Sequence, residues 1–181
     1  MTRSRFLAIS SVILISLGET LWAGQNETLQ HAVAPLEEGV PEVAIERLRL
    51  FLAQNPPARE QLIARKKLAE ALGRADRLSE ALDLFADASL TTDAEATFWH
   101  AQALAGLDRW AEALPLYAQV AADEKSALRA EAAFGQSEAL RALGQKDHAM
   151  RVLQSLERIP QWGARAKLGE AQLLLERGDL A

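Results

Sequence analysis

The stretch AQALAGLDRWAEAL, residues 101–114, carries two alanine-rich helical patterns with a turn signal between them. Ala101 and Leu104 are three apart, one helical turn, and Ala113 and Tyr117 are four apart in the second pattern. Asp108 stands between the two, a residue that suits a turn. Moving outward in both directions, the same plan returns as AVAPLEEGVPEVAI (32–45), AEALGRADRLSEAL (69–82) and SEALRALGQKDHAM (137–150).

Ala44, Ala81, Ala113 and Ala149 serve as anchors of this plan, 37, 32 and 36 residues apart. One place after each anchor stand Ile45, Leu82, Leu114 and Met150, and four places after stand Leu48, Phe85, Tyr117 and Leu153. Seven places after stand Phe51, Ala88, Val120 and Leu156, so the large residues share one helix face. Twelve places before the anchors are Ala32, Ala69, Ala101 and Ser137, all small, and ten places before are Ala34, Ala71, Ala103 and Ala139. Nine places before are Pro35, Leu72, Leu104 and Leu140; five before are the turn residues Gly39, Asp76, Asp108 and Gly144. Small residues let paired helices approach closely while the larger ones fill the space beside them.

Leu68-Ala-Glu-Ala-Leu72 with Ser79-Glu-Ala-Leu82, Ala101-Gln-Ala-Leu104 with Ala111-Glu-Ala-Leu114, and Glu138-Ala-Leu140 with Gly144 resemble a tetratricopeptide repeat array. Its unit is a helix-turn-helix of about 34 residues. The family's early Trp and Leu are not matched at their usual spacing; Phe98, Trp99 and Phe134 lie nearby instead. The resemblance implies an all-α, right-handed solenoid of antiparallel helix pairs over residues 25–181. The repeats are expected at about 25–58, 60–93, 94–127 and 130–163, with a partial one over 164–181.

Asn55-Pro56-Pro57, Thr91-Thr92-Asp93 and Ile159-Pro160 punctuate the repeats. Pro41 suits the first turn of a helix. Pro35, standing where the other repeats have Leu, is expected to kink or end its helix early, and Pro115 is expected to kink the helix that holds it. From Ala164 a fifth first helix begins, with Ala166, Ala171 and Leu174 on the earlier spacing and Gly178 at the turn. Ala164–Arg177 reads either as a lone capping helix or as the break-off of a longer array; Leu173-Leu174-Leu175, apolar on more than one face, favours the second.

The N-terminus carries a different signal. Met1–Arg5 has two positive charges, Phe6–Leu17 is almost wholly apolar, and Leu21-Trp22-Ala23 offers a small residue for cleavage. This is the layout of a secretory signal peptide over residues 1–23, cut after Ala23. The alternative is a retained anchor, but twelve apolar residues rise about 18 Å as a helix, short of a hydrocarbon core of about 30 Å. The expected address is export to a bacterial periplasm or exterior, with no membrane span after cleavage. The chain has no cysteine, so the segment carries no lipid-attachment thiol and the fold no disulfide.

Of the 181 residues, 49% are apolar and 25% charged, for a net charge of -5, and cleavage would make it -6. Such a chain can build a core, and it lacks the concentrated positive face that nucleic-acid binding needs. His31, His100 and His148 have no companion at metal-ligand spacing, and neither phosphate loops nor nucleophile elbows occur. His100 reads as a half-buried residue between helices. The sequence therefore suggests a non-enzyme that holds no cofactor or metal.

The resemblance also implies that first helices line a concave groove. Its offsets select Lys66, Glu70, Arg74, Phe98, Gln102, Phe134, Glu138 and Arg141 as candidate binding residues. Apolar anchors would give affinity and charges register; Phe98, Trp99 and Phe134 fit an interhelical core equally well. The family's carboxylate clamp matches at Lys66, but Glu70 stands where an amide is expected, and Trp99, Glu131 and Gly135 hold other clamp positions. A negative charge there repels a carboxylate. The expected function is an exported scaffold binding protein partners of the cell envelope or outer membrane. The alternatives are a non-catalytic front module of a larger exported enzyme or assembly protein and, third, a self-association module.

Overall fold

The computed structural model of the chain describes residues 28–178. All regular secondary structure among them is helical, in keeping with the all-α class. In chain order the helices are α1 (Leu29–Glu37), α2 (Pro41–Ala53), α3 (Ala58–Arg74), α4 (Leu78–Phe85), α5 (Ala94–Gly106), α6 (Trp110–Ala122), α7 (Arg129–Ala142), α8 (Lys146–Leu156) and α9 (Gly163–Arg177). A 3₁₀ turn, Ala88–Leu90, follows α4. The expected signal segment, residues 1–23, lies outside the described residues. Among those described, no helix is long and apolar enough to cross a membrane.

Local chemistry sets the helix ends. The Thr28 hydroxyl accepts the His31 N–H at 3.3 Å to start α1, and the Asp93 carboxylate accepts the Ala96 N–H at 2.9 Å to start α5. Pro41 opens α2, where a missing N–H costs nothing. At the turn between the helices of each pair, the backbone enters the left-handed region: φ is 76° at Gly39, 58° at Asp76 and Asp108, and 75° at Gly144. The next N–H reaches back across the turn in each case. Val40 bonds the Pro35 carbonyl at 2.8 Å, Arg77 that of Leu72 and Arg109 that of Leu104, both at 2.9 Å, and Gln145 that of Leu140 at 2.8 Å. These are the six-to-one bonds that close a helix C-terminus.

Those bonds explain why Pro35 is tolerated in a position otherwise held by Leu. The turn uses the carbonyl of that residue, which proline keeps. What proline removes is the N–H that would bond the His31 carbonyl, and the Arg47 guanidinium of α2 donates to that oxygen at 3.2 Å instead. Helix α1 runs only two residues further, to Glu37. Around Pro115, α6 continues without a break; Pro115 and Ala111, whose carbonyl loses its partner, are both exposed, so water can bond the freed oxygen.

Each helix packs against the next along the chain, and α1 with α3, α3 with α5 and α5 with α7 also touch. The four anchor alanines are fully buried, as are Ala32, Ala69 and Ala101, with Ser137 at 1% exposed. Ser137 satisfies its hydroxyl by donating to the Phe134 carbonyl at 2.6 Å. The core is a succession of three apolar clusters, the first joined to the second by Leu82 and Trp99 and the second to the third by Leu114. Helix α9 packs on α8 through Ala166, Gly169 and Leu173. Its outer face differs from the earlier first helices: Leu174 is 38% exposed, against 1%, 3% and 6% for Leu72, Leu104 and Leu140. No described helix follows to cover it.

Candidate functional site

Aromatic residues gather at the junctions of α3, α5, α7 and α9. A cleft of about 450 Å³ opens there. Its walls hold Trp99, Trp110, Trp162 and Phe134, and Tyr117 lies at its base. Three of the chain's four tryptophans and its one tyrosine thus meet in one place: Trp99 comes from α5, Trp110 and Tyr117 from α6, and Trp162 from the start of α9. Polar groups on the rim are Asp76, Gln102, Glu131, Glu138 and Arg165.

Glycines inside helices make this convergence possible. A Cβ on Gly135 of α7 would lie 2.6 Å from Tyr117, and one on Gly106, the last residue of α5, would press on Leu78. Helix interiors disfavour glycine by about 1 kcal/mol relative to alanine, so close approach is what Gly135 gains in the middle of α7. Tyr117 donates its hydroxyl to Gln102 Oε1 at 3.0 Å. Burial raises the pKa of Tyr117, and the nearby Glu131 carboxylate raises it further, so the phenol stays a neutral donor. Trp110 spends its ring N–H on Asp108 at 3.1 Å, which leaves the indole face as its remaining offer. At one end Arg165 stacks with its guanidinium carbon 4.3 Å from the Phe134 centroid and 5.3 Å from that of Trp162.

The residues selected from sequence divide sharply. Gln102, Phe134 and Glu138 line the cleft. Phe98 does not: it is 1% exposed and packs edge-on against Trp99 and Tyr117, with centroids 5.4 and 6.1 Å away. The neighbouring residue, about 100° around the helix, is the one that faces the opening, so the wall is formed by Trp99. Lys66 instead donates to Thr92 at 2.9 Å and pairs with Asp93, tying α3 to the start of α5. Burial opposes the Asp93 charge, but the Ala96 N–H and Lys66 outweigh it and hold its pKa below the ordinary value. Glu70, 4% exposed, sits between Lys67 at 2.9 Å and Arg74 at 2.6 Å. Arg74 also donates to the Leu36 carbonyl at 3.1 Å and lies 5.4 Å from the Trp99 ring centre. Arg141 bonds Glu138 at 2.8 Å and Glu176 of α9 at 3.0 Å. These charged groups are mostly occupied in fastening one helix to another.

Trp99, Glu131 and Gly135, the clamp positions implied by resemblance, do line the cleft. Trp110, Trp162, Arg165 and Asp76 escaped sequence reasoning. For the two tryptophans the available signal was their rarity in the chain together with glycine in the adjoining helices; for Asp76 and Arg165 the sequence held none.

A second hollow holds His100, stacked on Phe85 at 4.8 Å and nearly parallel to it, beside Arg109 and Glu112. Burial lowers the His100 pKa and Arg109 lowers it further, against a smaller opposing pull from Glu112. No group of three or more His, Cys, Asp or Glu able to hold a metal occurs among the described residues. Comparison of the chain with family models, curated proteins and solved structures found no match in any of the three. Fold and site together define an all-helical protein with an aromatic, acid-rimmed cleft.

Proposed function

We propose that the protein is an exported helical-repeat scaffold that holds a segment of a partner protein in the aromatic cleft. The single observation that supports this reading best is the convergence of Trp99, Trp110, Trp162 and Phe134 on one open surface. Large aromatic rings give much contact area for little lost conformational freedom, and they dominate the affinity of protein interfaces. Ion pairs that fasten the surrounding helices keep those rings in place before a partner arrives, which lowers the ordering cost of binding.

The architecture in this reading is a tetratricopeptide-like, right-handed solenoid. The recurring left-handed turn, the buried anchor alanines and the neighbour-to-neighbour packing support it. The N-terminal charge and apolar run support export, and partners in the cell envelope follow from that address. The scaffold works without catalysis or a bound cofactor in this account. A place at the front of a larger exported protein is the second reading. It is favoured by the exposed Leu168 and Leu174 of α9, which leave that helix without the cover its predecessors have.

A photo-crosslinking residue placed at Gln102, inside the cleft, tests the function, with Ser155 on α8 as the control position. Crosslinking in the native host to a defined partner from position 102 and not from 155 is the expected result. Equal labelling from both positions, or none from the cleft, contradicts it.

A further inference from the structure

We propose that the cleft selects partner segments presenting a lysine or arginine side chain, which enters between Trp99 and Trp110 beneath the carboxylates of Asp76 and Glu131. This rests on the reading of the cleft as a peptide site and adds the chemistry of its occupant.

Charge complementarity carries the choice. Of the charged groups on the rim, Glu138 is neutralised by Arg141, and Arg165 is stacked away at the Phe134–Trp162 end. Asp76 and Glu131 form no ion pair among the described residues and are exposed at the rim. Glu131 also acts on Tyr117 at the base, so its negative field reaches into the cleft. The uncompensated charge near Trp99 and Trp110 is therefore negative, and an incoming carboxylate meets repulsion there.

The rings make the same selection. Trp110 has already committed its N–H to Asp108, so it offers a π face, and indole faces attract cations. The protein uses this preference internally at both ends of the aromatic cluster: Arg165 lies on Phe134 and Trp162, and Arg74 lies near Trp99. A partner's Lys or Arg fits the remaining stretch, its alkyl stem against the rings and its head toward the carboxylates.

The test is a titration of the isotope-labelled full-length chain, followed through the indole N–H signals. The probes are short synthetic peptides identical except for a central arginine, norleucine or glutamate. The arginine peptide is expected to shift the Trp99 and Trp110 signals and to bind at least about fivefold more tightly than the norleucine peptide, with glutamate weakest. In the double variant Asp76→Asn with Glu131→Gln the arginine preference should shrink to about twofold or less, while Glu42→Gln, outside the cleft, leaves it intact. The double variant is read only against its own norleucine affinity and its signal dispersion, so misfolding is visible directly. Norleucine or glutamate peptides binding as tightly as arginine, or a preference unchanged in the folded double variant, overturns the cation inference and leaves the peptide site standing. If no peptide of any charge perturbs the cleft signals, both readings fall.

Discussion

Gly135 of α7 lies against the ring of Tyr117 of α6 so closely that a Cβ would come within 2.6 Å of it. Tyr117 is 2% exposed and has no room to retreat without disturbing Phe98 or its bond to Gln102. Gly135→Ala should therefore destabilise the fold by about 1–3 kcal/mol through overpacking, despite a gain of about 1 kcal/mol in helix propensity. Urea unfolding checks the sign; a more stable variant would mean that the ring moves freely.

Phe98 and Phe134 occupy equivalent repeat positions but different environments. Phe98→Ala should cost about 3–5 kcal/mol, as expected for a fully buried ring. Phe134 is half-buried and carries Arg165 on its face, so Phe134→Ala should cost clearly less and loosen the Arg165 side chain. Thermal unfolding of the two single variants separates them.

The left-handed turns allow a reciprocal test. Gly144 has φ of 75°, and a Cβ added there would meet nothing within 4 Å, so Gly144→Ala should lose about 1–2 kcal/mol from backbone strain alone. Asp76, at φ 58°, is the reverse case, and Asp76→Gly should be neutral or gain up to about 1 kcal/mol. Denaturant midpoints of both variants measure this directly.

The register of the repeats is readable because packing demands it. Fully buried positions between packed helices favour small residues, so Ala44, Ala81, Ala113 and Ala149 announce themselves. Turn positions needing positive φ likewise select Gly or Asp. The cleft is less readable. Phe98 and Trp99 are adjacent, and which one faces outward depends on how the helices are rotated in the packed array. Trp110 and Trp162 stand at helix starts, where periodicity is weakest. Lys66 looks available in the sequence because its partner Asp93 is distant along the chain.

His100 links stability to pH. Its folded-state pKa lies below the unfolded value of about 6.5, so the unfolded chain takes up a proton more readily. The stability it contributes is present above about pH 6.5 and is lost as the pH falls through the lower folded-state pKa. Arg109 and Glu112 are the charged neighbours, and Phe85 stacks on the ring. His100→Phe should flatten this part of the stability–pH curve; a curve unchanged in the variant would assign the dependence elsewhere.

If a partner binds in the aromatic cleft, Trp110→Ser should release it. Trp110 stands at the first turn of α6 and is only half-buried, so helical content by circular dichroism should hold. The measurement is the affinity of this variant for the partner identified by crosslinking from Gln102. A loss of at least about tenfold, typical of an interface tryptophan, is the result predicted. An unchanged affinity in a folded variant would contradict the assignment of the cleft.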